Sequence, residues 1–201
     1  MLRKLRNRFD NASALLAGTA EAVAASVAEV RQLEAEVRQL DERNERTARL
    51  CGRLAAFEVQ RLTEIDTLAD VEFQVYSQFG EDGIIEWLVA NLELQNKTFV
   101  EFGVENYLEA NTRFLLLNRN WTGLVLDGNP ENMEHLRSSA TYWRNDVQAQ
   151  AAFITAENIK DLIQRNGFFG PLGILSIDLD GNDYWILKEL DGLRPDILIL
   201  E

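Results

Sequence analysis

Thr98-Phe-Val-Glu-Phe-Gly103 and Gly123-Leu-Val-Leu-Asp127 decide the fold: each is a short apolar run that ends on a carboxylate and meets a turn. Runs of this length without alternation read as strands covered on both faces. Between them, residues from about 108 to 118 read as helix, so the pair forms a strand–helix–strand unit. Working outward, Ile84, Ile85, Leu88 and Val89 give a helix over about 81–93, and Asn129-Pro130 opens another, since Asn caps and Pro suits the first helical position. A strand near 151–154, a helix over about 156–164, the strand Gly173-Ile-Leu-Ser-Ile-Asp178, a helix over 183–190 and a strand over 195–200 complete the series. Strands alternating with helices predict an α/β domain with a mostly parallel sheet and right-handed crossovers.

The first part of the chain has a different period. Leu16, Val23, Val30, Val37, Asn44 and Cys51 lie seven apart, and Thr19, Ser26, Leu33, Leu40, Thr47 and Leu54 fill the second position of the same heptad. β-Branched residues at one position and leucines at the other favour parallel dimers, and Asn44 would fix register at a cost in stability. A homodimer through residues 16–54 is therefore expected; the alternative is one amphipathic helix packed on its own domain. The expected organisation is a basic tip over 1–11, a coiled-coil helix over 12–60, a linker over 61–74 and the α/β domain over 75–201. An apolar strand directly before Glu201 suggests a fragment, or an edge that a partner covers.

Composition narrows the classes. The single cysteine, Cys51, forms no intrachain bridge, which suits a reducing, cytoplasmic location. No run is long and apolar enough for a transmembrane helix. Arg3, Lys4, Arg6 and Arg8 precede a mild apolar stretch, but Glu21 and the unbroken helical period count against a signal peptide. The formal net charge is −13, and residues 61–201 carry 24 acidic against 10 basic side chains, so nucleic acid is a poor partner.

Ligands of open parallel sheets bind at the carboxyl ends of the strands, where Glu101, Asp127, Asp178 and Glu201 gather four carboxylates on one rim. Asp127 stands 26 residues after Glu101, the arrangement in which a strand-end acid accepts hydrogen bonds from both hydroxyls of a ribose. The first turn holds only Gly103 and continues with Glu105, Asn106, Tyr107 and Glu109, so a diphosphate would find few approachable amides and added negative charge. S-adenosylmethionine, with no phosphate and a positive sulfonium and ammonium, suits such a turn better.

Tyr76-Ser-Gln-Phe-Gly-Glu-Asp-Gly-Ile-Ile85, Phe99-Val-Glu-Phe-Gly-Val-Glu-Asn106, Gly123-Leu-Val-Leu-Asp-Gly128 and Leu175-Ser-Ile-Asp-Leu-Asp-Gly-Asn-Asp-Tyr-Trp185 together resemble class I S-adenosylmethionine-dependent methyltransferases, closest to FkbM-type enzymes associated with glycan biosynthesis. The resemblance covers about residues 74–201 and implies a Rossmann-like, doubly wound, mostly parallel sheet that lacks the superfamily's terminal strand hairpin. It implies that Glu101 and Gly103 lie by the methionine end of the cofactor, that Asp127 binds its ribose, and that residues 155–158, with Thr155 and Glu157, lie near the adenine. Ser77 and Gln78, with Glu81 and Asp82, would close over the cofactor, and the expected acceptor is a small-molecule or glycan hydroxyl. Asp178 or Asp180 would remove the hydroxyl proton, directly or through a divalent ion held by oxygen ligands.

Other readings compete. A methyltransferase-like module without catalysis, tethered by the coiled coil, fits the reduced glycine turn. A nicotinamide-dependent oxidoreductase is disfavoured by Glu105 and Tyr107 in the phosphate-facing turn. Asp178, Asp180, Asn182 and Glu189 match ligand positions of a calcium-binding EF-hand loop, yet Asp183 stands where that loop needs glycine. His135 has no second histidine or cysteine near it in sequence, so no zinc site is expected. Trp87, Trp121, Trp143 and Trp185 read as core or edge aromatics.

Overall fold

Five parallel strands, β1 (Thr98–Phe102), β2 (Thr122–Asp127), β3 (Val147–Ala151), β4 (Pro171–Ile177) and β5 (Arg194–Leu200), form one sheet in the order β3-β2-β1-β4-β5. This computed structural model describes residues 2–179 and 181–200, residues 2 and 4–17 by backbone alone. Strand order reverses between β1 and β4, because the chain winds outward through β2 and β3 and then crosses back.

The helices divide accordingly. Helices α2 (Glu81–Asn91), α3 (Arg113–Arg119) and α4 (Pro130–Ser138) cover one face, through Ile85, Leu115, Leu116, Met133 and Leu136 against Phe99 and Val125. Helices α6 (Ile159–Arg165) and α7 (Asp183–Glu189) cover the other, through Ile159, Ile163 and Ile186 against Val100, Phe102 and Leu124. A short α5 (Ala140–Arg144) follows α4. The sheet is thus doubly wound, as expected. Each fully buried aliphatic or Phe side chain contributes about 1.5–3 kcal/mol, which is why β1 and β2, buried on both faces, organise the domain.

Two compact units make up the chain, Met1–Arg49 and Leu50–Glu201. The first is helical over its described residues, being the larger part of α1 (Leu2–Val59), and no described helix is long and apolar enough to cross a membrane. The last turns of α1 belong to the second unit. There Gly52, Ala56 and Val59, one face of the helix, are buried. A side chain at Gly52 would sit 2.4 Å from Val75 Cγ2, so only glycine permits this approach. The heptad positions Cys51 and Leu54 stay exposed on another face. The residues read as a linker, 61–74, include a single 3-10 turn at Leu68–Asp70.

Some boundaries, and the burial of the last strand, differ from expectation: α1 already runs from Leu2 through the residues read as a separate tip, and α6 begins at Ile159 rather than near 156. Helix α3 begins at Arg113 rather than near 108, because the intervening residues form an irregular turn with Glu105 and Tyr107 at positive φ. Strand β3 lies at Val147–Ala151, pairing Val147 with Gly123, and the more apolar 151–154 stretch falls at its carboxyl end. Strand β5 has exposed Leu198 and Leu200, so it is a half-covered edge and not buried on both faces. The calcium-loop reading fails on its first requirement, since the residues before Asp178 are strand β4 and not helix.

Glu86 on α2 ties the helices together from a fully buried position. It accepts hydrogen bonds from Gln60 Nε2 at 2.9 Å, and from Arg119 Nε at 2.9 Å and Nη2 at 2.6 Å. Removing one partner of a buried pair leaves a charge without compensation. Because Arg119 is partly exposed and Gln60 remains, Arg119→Ala is expected to cost about 2–3 kcal/mol in denaturant unfolding, at the lower edge of such losses. The double variant Glu86→Leu/Arg119→Met is expected to recover most of that loss.

Candidate functional site

At the carboxyl edge of the sheet, β1 ends at Phe102 and the chain turns through Gly103 at φ +73°. A Cβ on Gly103 would lie 1.8 Å from the carbonyl oxygen of Asp178, so the turns after β1 and β4 meet backbone to backbone here. No residue but glycine fits that approach.

Two buried carboxylates, Glu101 and Asp82, hold the segments around this turn. Glu101 alternates with Phe102 along β1, which directs its side chain to the face covered by α3. Its carboxylate accepts from the amides of Asn111 at 2.8 Å and Thr112 at 3.1 Å, and from the Thr112 hydroxyl. The Thr112 hydroxyl proton is thereby used, so Tyr107 Oη donates to Thr112 Oγ1 at 2.9 Å. Asp82 does the same work for the segment before α2. Its Oδ2 accepts from the amides of Val75, Tyr76 and Ser77 at 2.7, 2.6 and 3.0 Å, and Ser77 Oγ accepts from the Asp82 amide. Arg113 joins the two systems, stacking 4.5 Å over the Tyr76 ring and donating to the carbonyls of Tyr107 and Leu108.

Asp127 is placed differently. At the end of β2 its Oδ2 accepts from the Glu105 amide at 2.9 Å, while Oδ1 accepts from the Asn129 amide at 2.7 Å and from Asn132 Nδ2 at 3.3 Å. A carboxylate offers about four acceptor positions. One on Oδ2 is left for a ligand.

Above these residues lie two adjoining cavities of about 270 and 590 Å³, which share Gln78, Gly103, Val104, Glu109 and Asp178 in their walls. They form one groove across the ends of β2, β1 and β4, at the point where strand order reverses. Its acidic lining comprises Glu81, Glu101, Glu105, Glu109, Asp127 and Asp178, and among the described lining residues there is no Lys, Arg or His. Among the described residues, no group of three or more His, Cys, Asp or Glu is placed to hold a metal ion.

Of the residues expected at the site, the groove brings together Gln78, Glu101, Gly103, Asp127 and Asp178. Ser77 is buried against Asp82 and is not in the wall. Thr155 and Glu157 are also outside it; the wall beyond Asp127 is built by Ala152, Phe153 and Ile154. The Thr155 amide instead donates to Asn158 Oδ1, and the Thr155 hydroxyl holds the Glu157 carboxyl below its ordinary value. Asp180 lies outside the described residues. Sequence reasoning missed Phe153, exposed at the mouth, because the apolar run containing it was assigned to the strand itself.

No protein-family model matches the chain, and no curated protein does. The site's own chemistry therefore carries the functional argument.

Burial is the largest influence on Glu101 and raises its carboxyl above the ordinary range, against the lowering effect of the Thr112 and Asn111 donors. Asp82 is raised by burial in the same way, against its three amides. Burial followed by the charge of Glu101 pushes the Tyr107 hydroxyl well up. A carboxyl raised in the folded state contributes stability that is complete below the unfolded value and is lost as pH rises through the folded value. Stability of the domain is therefore expected to fall as pH rises from about 4.5, near the unfolded carboxylate value, towards neutrality. Glu101→Gln, which keeps shape and removes the titration, is expected to flatten that slope in denaturant unfolding followed across pH.

Proposed function

We propose that residues 75–201 form the cofactor-binding domain of an S-adenosylmethionine-dependent methyltransferase, acting on a hydroxyl oxygen of a sugar or similar polar metabolite. The observation that carries this reading is the groove: acidic around its rim, without a cationic side chain among its described lining residues, and set at the reversal of strand order. A dinucleotide or nucleoside phosphate would meet only repulsion there. A ligand with two cationic groups and a nucleoside meets the opposite.

The residues present fit that ligand. Asp127 retains one carboxylate position for a ribose hydroxyl while the Glu105 and Asn129 amides hold it in place. Glu105 and Glu109 supply negative charge beside the turn at Gly103, where the missing side chain lets a ligand approach the backbone. Phe153 and Ile154 give an apolar wall on the side of Asp127 away from that turn, suited to a purine. S-adenosylmethionine, when bound, supplies an electrophilic methyl carbon. The chain's part is to align an acceptor hydroxyl and take its proton, and Asp178, exposed in the wall of both cavities, is the base we assign.

Titration calorimetry of the folded chain with S-adenosylhomocysteine, with NAD as control, tests the reading. Saturable binding of the first and none of the second is expected. Asp127→Asn should weaken it by about tenfold or more, the usual scale for losing a charged hydrogen-bond partner. Asp178→Asn should leave that binding within about twofold while abolishing methyl transfer, because it acts on the acceptor and not on the cofactor. No binding by a folded sample overturns the proposal and leaves a methyltransferase-like interaction module as the better description.

A further inference from the structure

The unit Met1–Arg49 presents an apolar seam, and over residues 29–41 every charged edge position beside it is acidic. In heptad terms Val23, Val30 and Val37 are a positions and Leu33 and Leu40 are d positions, each more than half exposed. The flanking g positions in this stretch are Glu29 and Glu36, and the flanking e positions are the apolar Val27 and the acidic Glu34 and Asp41. The four acidic side chains are exposed, as is Val27. Arg31 and Arg38 fall at b, away from the seam, and Arg43 is the first basic residue on an edge after this stretch begins.

In a parallel pair each g residue faces the e residue five positions later on the partner helix. A second copy would then set Glu29 against Glu34 and Glu36 against Asp41, each twice by symmetry, with no attractive pair over the strongest part of the seam. An antiparallel pair centred on the same stretch sets Glu34 against Glu34 and Glu36 against Glu36, relieved only where Glu29 meets Arg43. The apolar positions favour pairing, while the edges oppose pairing with self. Acidic g and e positions set partner choice in the way that like charges exclude a wrong partner.

We infer that the seam over residues 23–41 takes a different chain: a coiled-coil helix with an apolar seam of its own and Lys or Arg at its e and g positions. The inference is independent of any activity of residues 75–201. It replaces the homodimer expected from the apolar positions alone.

The probe is a synthetic helix of about five heptads, with Val at a, Leu at d and Lys at every e and g position; its twin carries Glu at those edges. Sedimentation of the full chain alone at micromolar concentration should give a monomer. Adding the Lys-edged helix should give a one-to-one complex, at least about tenfold tighter than with the Glu-edged twin and weakened by salt. The variant Glu29→Lys/Glu36→Lys, which changes only exposed edge residues, should turn both facing pairs attractive. It should then dimerise with itself and lose its preference for the Lys-edged helix. A salt-insensitive dimer of the unaltered chain, equal binding of the two helices, or no binding of either would overturn the inference.

Discussion

The carboxylate of Glu101 sits below the surface at the end of the central strand, accepting from the amides of Asn111 and Thr112 and from the Thr112 hydroxyl. Once it is buried there, its acceptor positions must be satisfied locally, since an unpaired buried charge is too costly to keep. The chain after Gly103 therefore has to loop back and deliver two amides to it before α3 can begin. That requirement explains the left-handed conformations at Glu105 and Tyr107 and the late start of the helix. It also explains Tyr107 and Arg113, which fill and brace the space under the loop.

The groove follows from the same constraint. With residues 103–112 drawn down towards Glu101 and fastened by the Ala110 amide to the Tyr76 carbonyl, the surface above the strand ends is left open. Asp82 holds the other bank by its three amides, so Gln78 overhangs the opening from a fixed segment. Glu101 and Asp82 thus build the frame, and a second pair of acids, Asp127 and Asp178, lines the groove. A frame made of carboxylates and backbone amides needs no basic side chain in the wall, which leaves the described lining of the groove acidic.

Acidic side chains gather in two separate places, around the groove of the α/β unit and at edge positions beside the apolar seam of the helical unit. In the proposals above, the first set favours a cationic ligand and the second biases the choice of a partner helix.

Sequence alone determined the parallel α/β architecture, because uninterrupted apolar runs alternating with helical periods leave few other ways to bury both faces of a sheet. It also determined that acids end β1, β2 and β4, and that a heptad seam precedes the domain. It did not distinguish their roles. Glu101 and Asp127 both follow apolar runs, yet one serves the frame and the other the groove. The difference lies in partners 10 to 22 residues away, Asn111 for one and Glu105 for the other. The resemblance puts Asp82 over the cofactor; only packing against residues 75–77 reveals it as a buried clamp. Likewise β3 could not be located by hydropathy, because its register is set by pairing with β2, and its own small and polar residues give little signal. Local pattern fixes what each segment is; which way a strand-end acid points depends on contacts that exist only once the chain has closed on itself.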